Sequence, residues 1–313
     1  GSPLAEPLAI GDRVAGNRFC IHPMEGWDAT TAGLPTDTLL RRWHRFGESG
    51  AKIVWGGEAV AVVPEGRANP RQLLAPALGR EGLRVLLDTV RSAHRATHGD
   101  DGNLVVALQL THSGRFSQPA AGPRQPRVAF RHPLLDRRHG VSPDADCVMT
   151  DAEIEALVAA YVRAARDARD AGFDMVDLKA CHGYLVHEFL AARRRPGPYG
   201  GDFEGRSRLL CDLVSRVRDE VPGVLVGVRL SLFDTIPWEH ADGRGRPLAW
   251  EGAEPYDCGF GVDERDPARI DLEEPLRLLG VLRDSGVAAV NLTAGCPYAA
   301  PHVTRPEIGR AHV

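Results

Sequence analysis

The 313-residue sequence predicts an α/β barrel, and three observations carry that prediction. Apolar segments of strand length alternate with segments whose apolar residues recur at helical spacing. The strand segments are nearly continuous apolar runs, as expected of parallel strands covered on both faces. Polar and ionisable residues recur at the C-terminal ends of successive strands, where an α/β barrel keeps its chemistry. An open, doubly wound sheet is the alternative, but its single crevice accounts less well for so many decorated strand ends.

The segment from Asn17 to Met24 gives a short first strand after a loose N-terminus, and it stops at Pro23 because proline has no N–H for a ladder. Thr36 caps a helix that carries Leu39, Leu40, Trp43 and Phe46 at helical spacing. Residues 51–60 form strand two, in which Gly56-Gly57 marks a close backbone approach. A helix over 81–96 aligns Leu83, Leu86, Leu87 and Val90, and strand three follows at 103–110. Its end, from Gln109 to Arg115, is polar. Residues 116–148 sustain no period, so a long loop over the barrel top is expected, with room for a hairpin.

Thr150 and Glu153 form a capping box, and Ile154, Leu157, Val158, Tyr161, Val162 and Ala165 hold one helix face as far as Ala171-Gly172. Strand four then runs into Lys179-Ala-Cys-His-Gly-Tyr184, breaking at Gly183 into a short helix. A helix over 206–220 and strand five at 224–230 come next, with Arg229 near the strand tip. A glycine- and proline-rich excursion over 237–267 precedes a helix at 272–285 and strand six at 287–293. Six units fall two short of a closed TIM-type (β/α)8 count. The expectation is therefore one TIM (β/α)8 barrel domain over 1–313, with strands seven and eight missing from the C-terminal side.

At 43% hydrophobic, the chain can bury a core of that size. A formal charge of -4, from 42 acidic and 38 basic residues, leaves no footprint for nucleic acid or a membrane surface. Small-molecule chemistry is favoured by elimination, and self-association is left open. No run approaches the roughly 18 apolar residues that a span needs. Gly1-Ser2-Pro3 resembles a cloning remnant rather than a signal, so a cytoplasmic location is expected. The six cysteines, at 20, 147, 181, 211, 258 and 296, lack the C-x-x-C spacing of a zinc site, a redox pair or an iron–sulfur cluster. They are expected to be free thiols, with no metal site.

Lys179, His182 and Tyr184 fall within six positions at the end of strand four. Two of them have a bland alternative: His182 as a structural histidine, Lys179 as a snorkelling rim residue. His187 and Glu188 are expected on a helix surface or anchoring a loop, because the second His of a zinc helix is absent. His112 and Arg115 either line the mouth or tie down the long loop. Arg193-Arg-Arg195 is expected to be a solvated face, with contact to a CoA phosphate as the sharper reading.

Several ordered motifs together resemble the old yellow enzyme family of flavin-dependent oxidoreductases, in its 2,4-dienoyl-CoA-reductase-like branch. They are Asn17-Arg18 with Pro23-Met24, then Pro64-Glu-Gly-Arg67, Gln109 with His112-Ser-Gly-Arg115, and His182-Gly-Tyr-Leu-Val-His-Glu-Phe189. Tyr199-Gly-Gly201, Arg206, Arg208 and Arg229 complete the set. The resemblance implies FMN as cofactor and NAD(P)H as reductant. It places Pro23, Met24 and Ala59 against the isoalloxazine through their backbones, Gln109 on its pyrimidine edge, and Arg229 near N1 and O2. Tyr184 matches the family's proton donor. Lys179 stands where relatives have a His that binds the substrate carbonyl, and His182 is the second member of that pair. Glu25 stands where some relatives carry a flavin-tuning cysteine, and the FMN-phosphate site is expected after strands seven and eight. The implied reaction is reduction of an α,β-unsaturated carbonyl or enoyl-CoA-like compound. Three alternatives remain open: an amine demethylase of the same family, a Schiff-base lyase using Lys179, and a non-catalytic binding barrel.

Overall fold

The alternation of side chains along the strands decides the architecture. Val54, Val106, Leu108, Val176, Leu178, Val226 and Val228 share one face and join the large core beneath the helices. Trp55, Ala107 and Met175 share the other and form a second, smaller core. A computed structural model describes residues 2–241, 244–250 and 255–304. Its elements in order are β1 (Leu8–Ile10), β2 (Arg13–Ala15), β3 (Cys20–Ile21), α1 (Asp37–Glu48), β4 (Ile53–Ala61), α2 (Ala75–His98), β5 (Val105–Thr111) and α3 (Pro133–His139). These are followed by α4 (Asp151–Ala171), β6 (Met175–Ala180), α5 (Leu185–Leu190), α6 (Phe203–Glu220), β7 (Leu225–Ser231), β8 (Trp238–Ala241), β9 (Arg244–Pro247), α7 (Glu273–Asp284) and β10 (Ala289–Thr293).

The main sheet runs β3-β4-β5-β6-β7-β10, and every pairing in it is parallel. Each strand adds to the same side of the one before, whereas a doubly wound sheet reverses its order partway. Consecutive helices also pack on one another, α1 on α2, α2 on α4, α4 on α6 and α6 on α7. This is the wall of a β/α barrel, and the open doubly wound alternative is set aside. The capping box at Thr150 and Glu153 forms as expected, and Thr36 caps α1 by accepting from the Leu39 N–H.

The N-terminus is not loose. β1 and β2 pair as an antiparallel hairpin across Gly11-Asp12, with Gly11 at φ 60, and Ile10 and Ala15 cover the core formed by Ile53, Trp55, Val105, Ala107 and Met175. A Gly-Asp pair between two short apolar runs is a hairpin signal of the two-residue kind. The long loop over 116–148 holds no hairpin strands but the helix α3, started by Pro133 with the His132 ring accepting from the Leu135 N–H. The excursion after β7 does hold a hairpin, β8 with β9.

β4 is pulled close to β5. Its register with β5 shifts between Gly56 and Ala59, and a Cβ on Gly56, which sits at φ 95, would lie 2.8 Å from the Gln109 Cβ. Gly56→Ala is expected to cost about 1–3 kcal/mol of stability, read by chemical denaturation. A variant as stable as the parent would show that β4 can withdraw from Gln109.

Candidate active site

The parallel register sets polar side chains in layers across the barrel. Gln109 pairs with Asp177, Lys179 with Arg229, and Arg229 with Asn291. Gln109 donates to the Asp177 carboxylate at 2.6 Å, and burial pushes the Asp177 pKa up to about 6. Arg229 donates from Nη1 to the Pro23 carbonyl at 3.2 Å, tying the β3–α1 loop to β7, while its Nε is buried without a partner.

Beyond β6 the chain turns through two residues in left-handed conformation, His182 at φ 60 and Gly183 at φ 72. The His182 N–H donates to Ser231 Oγ at 3.0 Å, which ties the turn to β7. Gly183 is required for space as well as conformation, since a Cβ there would lie 2.9 Å from Cys296 Sγ. The turn delivers Tyr184 to the start of α5. As a result Lys179, His182 and Tyr184 face one cavity of about 660 Å³, together with Pro23, Met24, Gln109 and Arg229. The cavity lies at the C-terminal ends of the strands, opposite the β1–β2 hairpin.

Ala59 aside, the residues singled out in the sequence are thus brought together.

 Ala59 is fully buried in β4, its carbonyl accepts from Gln72 Nε2 at 2.8 Å, and it does not line the cavity.

The three side chains on β6 and its turn are not independent. Lys179 is buried, its Nζ lies 2.6 Å from Glu25 Oε1, and it also sits 3.9 Å from the centre of the Tyr184 ring. The snorkelling alternative is therefore set aside, because the ammonium has a carboxylate partner inside the barrel mouth. Tyr184 donates its hydroxyl to Glu25 Oε2 at 3.0 Å and lies 3.3 Å from the Tyr298 hydroxyl. Burial, then the Glu25 charge, holds the Tyr184 pKa well above the ordinary phenol value, so it stays a proton-bearing donor.

His182 Nε2 lies 3.2 Å from Thr293 Oγ1. Burial, followed by the charges of Lys179 and Arg229, pushes its pKa down to about 2, so the imidazole is neutral at pH 7. A histidine with a depressed folded pKa contributes stability that is present above its unfolded pKa of about 6.5 and lost as pH falls toward the folded value. Below pH 6.5 the parent should therefore lose stability relative to His182→Asn, on the order of 1 kcal/mol per pH unit. Asn tolerates the left-handed backbone, which makes it the appropriate replacement. Denaturant midpoints at pH 7 and pH 5 check this, and an unchanged gap between the two proteins would show that His182 does not titrate in that way.

Other sequence-level residues have structural jobs. Arg115 is buried and bonds to Glu188, Asp136 and the Phe130 carbonyl, so it ties down the long loop rather than lining the mouth. Glu188 anchors that loop, and His187 is buried rather than on a helix surface. The run Arg193-Arg-Arg195 is only partly a solvated face, with Arg194 exposed and Arg195 buried. Arg193 meets Glu264 and Glu274, Arg194 meets Asp257, and buried Arg195 meets Asp151 and the Ala129 carbonyl. The sequence reading missed Glu25 as a partner of Lys179 and Tyr184, and it missed Tyr298 and Thr293. The break at Gly295-Cys-Pro297 after strand six was the available signal for those last two.

A family model described as the NADH:flavin oxidoreductase / NADH oxidase family matches residues 3–242. An NADPH dehydrogenase from Geobacillus sp. (strain WCH70) is 32% identical over 244 residues, which is 75% of this chain and 64% of that protein. The chain thus spans less than two thirds of that relative's length. A 2-naphthoyl-CoA reductase in complex with 2-naphthoyl-CoA superposes with a TM-score of 0.70 at 20% identity, covering 95% of this chain and 41% of the other. Old yellow enzyme from Pichia sp. AKU4542 superposes with a TM-score of 0.67 at 22% identity, covering 93% and 70%. These likenesses match the barrel topology, and with the family model they lead to one conclusion: the chain belongs to the NADH:flavin oxidoreductase / NADH oxidase family.

Proposed function

We propose that the protein is an FMN-dependent ene-reductase, supplied with electrons by NAD(P)H, that reduces an α,β-unsaturated carbonyl compound. The observation that carries this reading is the protonated Tyr184 phenol held on a cavity wall beside Lys179 and neutral His182. The residues present fit a flavin. The cavity is within the size range of cofactor sites, Arg229 brings a fixed guanidinium with an unpartnered Nε, and Gln109 brings an amide. Pro23 and Met24 contribute wall from the β3–α1 loop.

FMN held there by Arg229, Gln109, Pro23 and Met24 would, when reduced by NAD(P)H, supply hydride chemistry toward the β-carbon of the alkene. Lys179 and His182 are placed to donate hydrogen bonds to the carbonyl oxygen, where negative charge grows as the hydride adds. Tyr184 gives its proton to the α-carbon, which completes addition of two hydrogens across the double bond. Arg229 would offset negative charge on the bound, reduced flavin. The likeness to a 2-naphthoyl-CoA reductase supports including acyl thioesters in the substrate class. Amine oxidation is less well served, because Arg229 puts a guanidinium on the wall that an ammonium substrate would meet, while the Lys179 charge is balanced by Glu25. A Schiff base on Lys179 is disfavoured by its salt bridge to Glu25.

Anaerobic titration tests the proposal. NAD(P)H should bleach the flavin absorption of the FMN-loaded protein, and 2-cyclohexenone or a cinnamoyl thioester should restore it. Bleaching by amines, with no recovery on adding either alkene, would favour the amine-oxidising alternative.

A further inference from the structure

Glu25 is the one acidic side chain on the wall of the cavity among the described residues, and it sits where three donors converge. Lys179 Nζ lies at 2.6 Å, the Tyr184 hydroxyl at 3.0 Å and Trp27 Nε1 at 3.1 Å. Its position is held from behind. The adjacent Gly26 N–H donates to Glu58 at 3.1 Å, and Glu58, fully buried in β4, is bound by Arg42 of α1. Trp27 holds φ 51, a conformation that bulky side chains rarely adopt, and in that conformation its indole reaches Glu25.

Resting on the ene-reductase reading, we propose that Glu25 sets the charge selectivity of the substrate site. By neutralising Lys179, it makes the site accept uncharged α,β-unsaturated carbonyl compounds and turn away those bearing a carboxylate next to the reacting bond. An unpaired ammonium this deeply buried would draw in a carboxylate through a charge-assisted hydrogen bond. With Glu25 in place, an arriving carboxylate meets a second carboxylate at short range in a medium that screens poorly. A neutral carbonyl oxygen meets no such penalty. Lys179 has three N–H donors and spends one on Glu25, so it still has donors for that oxygen. Glu25 is thus a specificity-determining residue, and in addition it positions the Tyr184 hydroxyl.

The test uses the FMN-loaded full chain, with benzoate and its neutral analogue benzamide as probes and calorimetry as the readout. None of these measurements depends on hydride transfer, so failure of the ene-reductase reading shows separately, as loss of enone turnover. The unaltered protein should bind benzamide more tightly than benzoate. Glu25→Gln keeps the shape and removes the charge, and it should bind benzoate tighter by on the order of tenfold. The double variant Glu25→Gln with Lys179→Met should lose that gain. The proposal is overturned if the unaltered protein prefers benzoate, if Glu25→Gln folds by circular dichroism and gains nothing, or if the gain survives in the double variant. Should Glu25→Gln fail to fold, the preference of the unaltered protein for benzamide or benzoate decides the question.

Discussion

Tyr184→Phe is expected to slow reduction of the alkene by about 10²–10⁴-fold, the usual worth of a positioned general acid. Reduction of the flavin by NAD(P)H should change little, because that half-reaction needs no proton from the phenol. The structure supports isolating the proton in this way. Tyr184 is buried, its ring lies 6.0 Å from the Phe116 ring centre and stacks on Tyr298 at 6.4 Å, so phenylalanine keeps the packing and loses only the hydroxyl. The same burial holds the phenol protonated. Stopped-flow measurement of the two half-reactions separates the outcomes. Equal slowing of both would point to a disturbed flavin site, and no slowing of either would remove Tyr184 from the proton path.

Arg115→Met should destabilise the protein by about 3–5 kcal/mol, the cost of leaving buried charge without its partner. Arg115 is 1% exposed, and its guanidinium bonds to Glu188 and Asp136, themselves 7% and 8% exposed, as well as to the Phe130 carbonyl at 3.1 Å. Glu188 loses its main cation in the variant, while Asp136 retains Arg131 at 2.8 Å. Adding Glu188→Gln to Arg115→Met should therefore recover part of the loss. Urea denaturation of the two variants checks both statements, and a single-variant cost under about 1 kcal/mol would contradict the buried-network reading. A functional effect should accompany the loss of stability. Arg115 pins the loop next to Phe116, whose ring stacks on Tyr298 at 4.2 Å, so loosening it disturbs the wall behind Tyr184 and should raise KM.

Much of this was legible in the sequence because it depends on local or periodic features. Apolar periodicity located the six main strands and the helices between them, and capping chemistry located the starts of α1 and α4. Side-chain alternation on a strand is local too, which is why Gln109, Lys179 and Arg229 could be assigned to one rim from their places at strand ends. The β1–β2 hairpin was less visible, since strands of three residues each carry almost no periodic signal. The helix α3 was hidden by the proline and arginine around it, although Pro133 is a favoured first helical residue.

The sequence by itself determined the barrel wall, the family and the rim carrying Lys179, His182 and Tyr184. Only the tertiary structure decided the charge state of that rim and the partners of its arginines. Glu25 and Lys179 are 154 positions apart, and Arg115 and Glu188 are 73 apart. No periodic pattern links residues at such separations. The strands on which they depend must first come together, and the burial that results makes each pairing energetically decisive.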